Sequence, residues 1–147
     1  MRTFFRIFVF AGLALSCARG ASGPAALDTK TETCRSCRMP VSDASLAAQL
    51  TAPGEEPRFY DDLGCLRDAL AQSTVPAGSV AWVADHRTRE WVRAGKALYT
   101  RAAIATPMGS HWIAHASADS RDADPAAKGG SPVSPREIFG EKGAPDG

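Results

Sequence analysis

A short sulfur-rich motif, Cys34-Arg-Ser-Cys37-Arg-Met39, constrains the fold of this chain more than any other stretch. Two thiols and one thioether lie within six residues, and Pro40 follows them directly, which favours a loop over a helix. A thioredoxin-like motif would instead open a helix, and a haem-attachment motif would have histidine where this chain has Arg38. No second Cys-x-x-Cys is present, so further ligands of a metal site must come from elsewhere in the fold.

The N-terminus has the pattern of a bacterial lipoprotein signal. Residues 1–6 carry two arginines and no acid, and residues 7–15 form an uncharged apolar run that is too short to span a bilayer. A small residue followed by Cys17 resembles a lipobox, although Ala14 stands where leucine is usual. We therefore expect a signal peptide over residues 1–16 and lipid on Cys17; an ordinary secretory signal cleaved nearby is the alternative.

Length and composition indicate one lipid-anchored domain. About 130 residues remain after the signal, enough for a single core. Residues 17–32 are rich in Ala, Gly, Ser and Thr and predict a tether, residues 33–118 predict the folded domain, and residues 119–147 predict a disordered tail. We expect the lipid anchor to hold the protein on the periplasmic side of the cell envelope. Retention in the inner membrane is associated with Asp directly after the lipidated cysteine, and this chain has Ala18 there, which favours the outer membrane. A net charge of +1 without a basic stripe gives no reason to expect nucleic acid.

Short strands mixed with helices predict an α+β fold. Strands are expected over residues 46–51, 58–60, 79–85, 90–92 and 111–116, and a short helical turn over residues 93–99. Asp61 and Asp62 are good N-caps for a helix of about ten residues that ends near Gln72. Its apolar stripe consists of Leu63, Leu66 and Leu70. The order strand, strand, helix thus occurs twice.

Sulfur donors point to a soft metal ion. Cys34, Cys37 and Met39 are soft ligands, which select Cu(I), or zinc where thiolates dominate, over magnesium or calcium. Met108 stands in a Pro-Met-Gly loop, and apart from the initiator it is the only other methionine. Because loop methionines are less expected to fill a core, we interpret both thioethers as Cu(I) ligands. Core filling is the alternative for Met39.

The remaining ligand candidates are weaker. His111 is a candidate ligand because it lies close to Met108 in the sequence, and His115 is a lesser one, on the same face of a predicted strand. His86 stands in a turn with two arginines and is expected to be solvated. Cys65 lies inside the predicted helix, where a semi-buried thiol is favoured over ligation.

Cysteine parity leaves three functional classes open. If Cys17 is acylated, three thiols remain, and they cannot all pair within one chain. One class is metal handling. The others are a thiol-disulfide redox lipoprotein that uses Cys34 and Cys37, and a structural zinc or disulfide module that binds proteins.

Several motifs, taken in order, resemble the NosL family, the copper-binding accessory lipoproteins of nitrous oxide reductase assembly. The matching pieces are the lipobox Cys17, Cys34-x-x-Cys37-x-Met39, residues 59–65 (Phe-Tyr-Asp-Asp-Leu-Gly-Cys), Trp82-Val-Ala-Asp85, Glu90-Trp91, Ala97-x-Tyr99 and Thr106-Pro-Met-Gly109. The family often has glycine where this chain has Arg38. The resemblance implies a module of two small ββα-type halves, similar to organomercurial lyase modules. It also implies a non-enzymatic role, Cu(I) delivery in the periplasm to nitrous oxide reductase or another copper-accepting protein.

Overall fold

The computed structural model describes residues 23–72 and 74–146, and the predicted signal peptide and Cys17 lie outside them. The strands of this part are β1 (Ala48–Thr51), β2 (Arg58–Tyr60), β3 (Val80–Ala84), β4 (Trp91–Arg93), β5 (Leu98–Arg101), β6 (Trp112–His115) and β7 (Ser131–Val133). The helices are α1 (Leu63–Gln72), α2 (Ala118–Asp122) and α3 (Pro135–Phe139), with a 3-10 turn at Pro125–Ala127. None of these helices is long and apolar enough to cross a membrane.

The first sheet is antiparallel with the order β2-β1-β3-β4. Its central strands β1 and β3 are buried along their full length. The segment that precedes the sulfur motif packs on the sheet face that carries Gln49. Ala25 N–H donates to Gln49 Oε1 (2.8 Å), and Gln49 Nε2 donates to Ala25 O (3.1 Å). Leu27 also packs against the core. Residues 23–32, predicted as part of a tether, are therefore attached to the domain in part.

The predicted helix is confirmed as α1. Asp62 caps it, because Gly64 N–H donates to Asp62 Oδ1 at 2.6 Å. Leu63 and Leu66 are buried in the core, and Leu70 packs against it while half-buried, as the predicted stripe requires.

The second sheet has the order β6-β5-β7 and is also antiparallel. The helical turn predicted over residues 93–99 is wrong beyond residue 97, where the chain enters β5. Gly95 disfavours helix, and Tyr99 is a β-prone residue that is buried and donates its hydroxyl to Ala94 O at 2.7 Å. The α+β class is confirmed. The first strand-strand-helix unit is present as β1, β2 and α1, whereas β3 and β4 join the same sheet.

The disordered tail predicted for residues 119–147 is wrong for the part that the structure describes. The segment forms α2, the 3-10 turn, β7 and α3, and two of its apolar side chains, Val133 and Ile138, are buried in the core. Its short elements begin at side-chain caps, namely Ser117, Asp124 and Ser134. Ser134 forms a complete capping box with Glu137. Local capping and two apolar anchors order a segment whose composition alone indicates disorder.

Candidate metal centre

The Cys-x-x-Cys-x-Met motif forms a tight loop, as its sequence predicts. Cys34 N–H donates to Met39 O (2.8 Å), and Arg38 N–H donates to Cys34 O (3.1 Å). Arg38 adopts a φ of 68°, in the left-handed region that favours glycine. Arg35 N–H donates to Phe59 O (2.8 Å), which fixes the loop beside β2. The motif is thus held against the strand that leads into α1.

The loop brings two thiols against two side chains at the start of α1. Cys34, Cys37, Asp61 and Cys65 each offer one ligand atom, and these four atoms lie within 4.8 Å of one another. Cys37 Sγ donates to Asp61 Oδ2 (3.3 Å) and lies 3.4 Å from Oδ1. Cys37 is half-buried and the other three are buried. This cluster, called the thiol cluster below, has the donors to hold a metal ion.

Two members of the thiol cluster were not predicted as ligands. Cys65 was interpreted as a semi-buried thiol without a ligand role, and Asp61 only as a helix cap. Their closeness in the sequence is the available signal, since Asp61 stands just before the helix and Cys65 lies in its first turn. The sequence does not say that the start of this helix meets the Cys34 loop.

Cys37 and Cys65 favour their protonated form. The pKa of Cys37 is raised to about 11, mainly by burial and also by hydrogen bonds with Cys34 and Asp61, against an opposing backbone hydrogen bond from Met39. Burial also raises the pKa of Cys65, with a further contribution from Asp61. A metal ion that binds these sulfurs at neutral pH must therefore displace protons.

Met108 shares a cleft with two of the thiols. Cys37, Cys65 and Met108 all line an open cleft of about 480 Å³. Its wall also includes Arg67, Arg101 and Trp112. The Met108 side chain is 54% exposed, so the thioether stands at the solvent side of the cleft. Met108 thus lines the same cleft as two cysteines that precede it by more than forty residues in the sequence.

Asp62 attaches the methionine loop to α1. Its Oδ1 accepts from Gly64 N–H (2.6 Å), and its Oδ2 accepts from Met108 N–H (3.0 Å). Burial acts to raise the pKa of this carboxyl, but hydrogen bonds from Ser110 and Thr106 and from the two backbone amides outweigh it, and the pKa is lowered. One buried, ionised carboxylate therefore holds the loop that carries the thioether beside the helix that carries Cys65.

Two predicted ligands are not brought to this cleft. Met39 is 52% exposed, and it is not one of the described residues that line the cleft. His111 is exposed, has a φ of 59° and places Nδ1 2.7 Å from Ile104 O. It does not line the cleft either. The structure thus unites Cys34, Cys37 and Cys65, adds Met108, and leaves Met39 and His111 outside.

A second polar cluster lies at the far end of β6. Asp124 Oδ2 lies 2.6 Å from His86 Nδ1 and 2.9 Å from His115 Nε2. The prediction that His86 is solvated is wrong, because its side chain is only 17% exposed. His115 and Asp124 are buried. We call these three residues the histidine cluster; the sequence did not reveal it, since Asp124 belongs to the segment predicted to be disordered.

No protein-family model, no curated protein and no solved structure matches this chain. The resemblance to NosL proteins therefore rests on the ordered motifs of the sequence.

Proposed function

We propose that this protein is a copper chaperone that carries Cu(I) on the periplasmic side of the cell envelope. In this proposal, lipid on Cys17 anchors it, and it delivers copper to a copper-accepting protein such as nitrous oxide reductase. The observation that carries the proposal is that Cys37 and Cys65 of the thiol cluster line one cleft together with Met108. The choice of nitrous oxide reductase as the receiving protein rests on the resemblance of the ordered motifs to NosL proteins.

The donor set favours Cu(I). Thiolate and thioether sulfurs are soft ligands, and Cu(I) is the soft ion among those that proteins commonly bind. Thiolates alone would also suit zinc, so the thioether of Met108 is the donor that separates the two ions. The carboxylate of Asp61 is a hard donor that suits Cu(I) poorly, and in the metal-free protein it accepts the hydrogen bond of the Cys37 thiol.

The exposure of the sulfurs suits transfer. Cys34 and Cys65 are buried, Cys37 is half-buried and Met108 is exposed. An acceptor protein can therefore approach Cu(I) from the side of Met108 and Cys37 and displace these ligands one after the other. A structural metal site, in contrast, is closed on all sides.

Charges at the cleft compensate the negative complex that thiolates form with Cu(I). Two thiolates and one Cu(I) ion carry one net negative charge. The guanidinium groups of Arg67 and Arg101 lie 5.1 Å and 5.9 Å from the centroid of the Trp112 ring, in the cleft wall. Asp68 pairs with Arg67 at 2.7 Å, which leaves two arginines against one aspartate in this wall.

The conformation of Arg38 supports the resemblance to NosL proteins. The position between the second cysteine and the methionine has a left-handed backbone, which glycine adopts without strain. The family often has glycine there. The arginine of this chain keeps the same turn at a cost of about 1 kcal/mol.

A thiol-disulfide enzyme is the less favoured alternative. Its attacking cysteine needs a depressed pKa, because the thiolate is the nucleophile. Burial instead raises the pKa of Cys37 to about 11. The half-buried cysteine of the motif is therefore a poor nucleophile in the metal-free protein.

The two exposed methionines provide a matched test. We expect Met108→Leu to lower the Cu(I) affinity about tenfold, or about 1.4 kcal/mol. Met39→Leu makes the same chemical change at a side chain of similar exposure, 52% against 54%, and should leave the affinity nearly unchanged. An anaerobic competition titration against a Cu(I) chelator measures both. If Met108→Leu has no effect and the purified protein holds one equivalent of zinc, a structural zinc module replaces the chaperone.

A further inference from the structure

The histidine cluster has a carboxylate that is oriented toward two imidazole rings. Asp124 Oδ1 accepts from Ala126 N–H (2.9 Å) as the cap of the 3-10 turn. This contact fixes the carboxylate plane and leaves Oδ2 to face His86 Nδ1 (2.6 Å) and His115 Nε2 (2.9 Å). Two nitrogens and one oxygen therefore converge from residues that are as much as 38 positions apart.

This cluster is separate from the thiol cleft. Trp112 begins β6 and lines the cleft, whereas His115 ends the same strand. Three residues of an extended strand span about 10 Å. The two clusters thus occupy opposite ends of β6, and neither shares a residue with the other.

Charged groups of both signs lie around the histidine cluster. Asp43 acts electrostatically on His86, and it is offset by the exposed Arg89. Asp85 is fully buried and accepts from Ser120 Oγ (2.9 Å), a residue of the helix that leads to Asp124, and Arg87 Nε donates to the same hydroxyl (3.4 Å).

We propose that His86, His115 and Asp124 form a second metal site, for a divalent ion of the zinc class. Two imidazole nitrogens and one carboxylate oxygen are a donor set that suits Zn²⁺ and related borderline ions rather than Cu(I). Three protein ligands leave a fourth position for water. His86 is the partly exposed member, so the ion reaches the site along its side. This assignment does not depend on the proposed copper function.

The tautomer that His115 adopts in the metal-free protein affects the affinity of the site for a metal ion. Its Nδ1 is buried, and no partner for it occurs among the described residues. The neutral ring therefore keeps its proton on Nε2 and donates it to Asp124 Oδ2. A metal ion at Nε2 moves the proton to Nδ1, where an acceptor is lacking. Since such an acceptor is worth about 10–100-fold in metal affinity, we expect the ion to bind about that much more weakly than at a site where the outer nitrogen has an acceptor.

Co²⁺ is the probe that separates this site from the thiols, because thiolate ligands give it intense sulfur charge-transfer absorption. The full chain is first loaded anaerobically with Cu(I) and then titrated with Co²⁺. We expect one equivalent of Co²⁺ to bind with d–d bands and without sulfur charge-transfer bands. Absence of binding to the wild-type protein, or sulfur charge-transfer bands, would overturn the proposal.

Variants locate the bound ion. His86→Ala, at the partly exposed member, and Asp124→Asn should each lower the Co²⁺ affinity at least about tenfold. Asp122→Asn is the matched control, since its exposed carboxylate pairs with Arg121 and not with a histidine, and it should bind as the wild type does. Circular dichroism confirms that each variant is folded; should Asp124→Asn unfold, His86→Ala decides alone. Wild-type affinity in His86→Ala would leave the cluster as a hydrogen-bonded contact only.

The two proposals can fail separately. If the protein does not retain Cu(I), the chaperone proposal fails, and the Co²⁺ titration is then made on the metal-free protein. There, only the d–d absorption that comes without sulfur charge-transfer bands is compared, because Co²⁺ bound by thiolates has d–d bands of its own. Loss of this absorption in His86→Ala supports the histidine site, and its retention contradicts it.

Discussion

The thiol cluster and the histidine cluster lie at opposite ends of β6 and differ in their donors, although most members of both are buried. The thiol cluster offers sulfur to an open cleft of about 480 Å³, with the exposed Met108 at its solvent side. The histidine cluster offers nitrogen and oxygen, and two of its three members are buried. Donor softness decides which ion each can hold, and access decides whether the ion can leave. One small fold thus combines a cluster of soft sulfur donors with a cluster of nitrogen and oxygen donors.

The two clusters also differ in how their ligands are fixed. Asp124 is held by the backbone of its own 3-10 turn. Asp62 instead joins the Met108 loop to α1, two segments that are far apart in sequence. Both clusters draw their members from remote segments, so the difference lies in the contact that orients one key group beside each.

Removal of a central thiol should have the largest effect on copper. We expect Cys37→Ser to lower the Cu(I) affinity on the order of 100-fold, about 2.7 kcal/mol, because the half-buried thiol is a proposed ligand that lines the cleft. His86→Ala should leave the Cu(I) affinity unchanged. Anaerobic competition titration of both variants checks this. Equal losses in both would show that the clusters are not independent.

Loss of the Asp62 carboxylate should destabilise the fold by about 2 kcal/mol. In Asp62→Asn only one oxygen remains for two backbone amides, the buried one of Gly64 and the partly buried one of Met108. Asp68→Asn is the matched control, since this exposed carboxylate pairs with Arg67 at the surface and should contribute below about 1 kcal/mol. Urea unfolding measures both free energies.

The pH dependence of this contribution has a defined sign. The pKa of Asp62 is lowered in the folded protein from its ordinary value of 3.8. The stabilisation is therefore complete above that value and is lost as pH falls through the lower folded pKa. Asp62→Asn should remove this part of the acid dependence, whereas Asp68→Asn should keep it.

Copper binding should strengthen as pH rises. Because the pKa of Cys37 is about 11, the thiol is protonated at neutral pH, and Cu(I) must release that proton. We expect the Cu(I) affinity to rise at least tenfold per pH unit across about pH 6 to 8, or about 1.4 kcal/mol per unit. Competition titrations at several pH values give the slope. A flat profile would mean that the thiols already carry no proton in the metal-free protein.

A methyl group at the start of α1 should have the smallest effect. A Cβ at Gly64 would lie 3.0 Å from Asp62 Oδ1 and 3.3 Å from Ser110 Cβ. We expect Gly64→Ala to destabilise the protein by about 1 kcal/mol, because the carboxylate must shift. At Gly95 a Cβ meets nothing within 4 Å, so Gly95→Ala is the control and should be near neutral. Thermal unfolding of both variants distinguishes them, and equal values would argue against close packing around Asp62.

The sequence predicted the elements whose signals are local. Helix α1 follows from an aspartate cap and a leucine stripe within one stretch, and the structure has both. Strand β5 was missed because Tyr99 is placed by a contact with the turn before it, a hydrogen bond that composition does not reveal. The C-terminal segment was missed for a similar reason, since isolated apolar anchors such as Ile138 carry no periodic signal.

The candidate site was predictable only in part. The spacing of Cys34 and Cys37 and the Pro-Met-Gly setting of Met108 are visible in the sequence. The part played by Cys65 is not, because it depends on which face of α1 meets a loop some thirty residues earlier. The pairing of His86 with Asp124 spans 38 positions and is likewise a product of tertiary packing.

Copper K-edge X-ray absorption on the anaerobically loaded protein tests most directly whether one Cu(I) ion is held by converging sulfurs. We expect two or three sulfur neighbours and no nitrogen neighbour, with one sulfur lost or lengthened in Met108→Leu and none in Met39→Leu. A nitrogen-containing first shell, or an identical spectrum in Met108→Leu, would contradict the account.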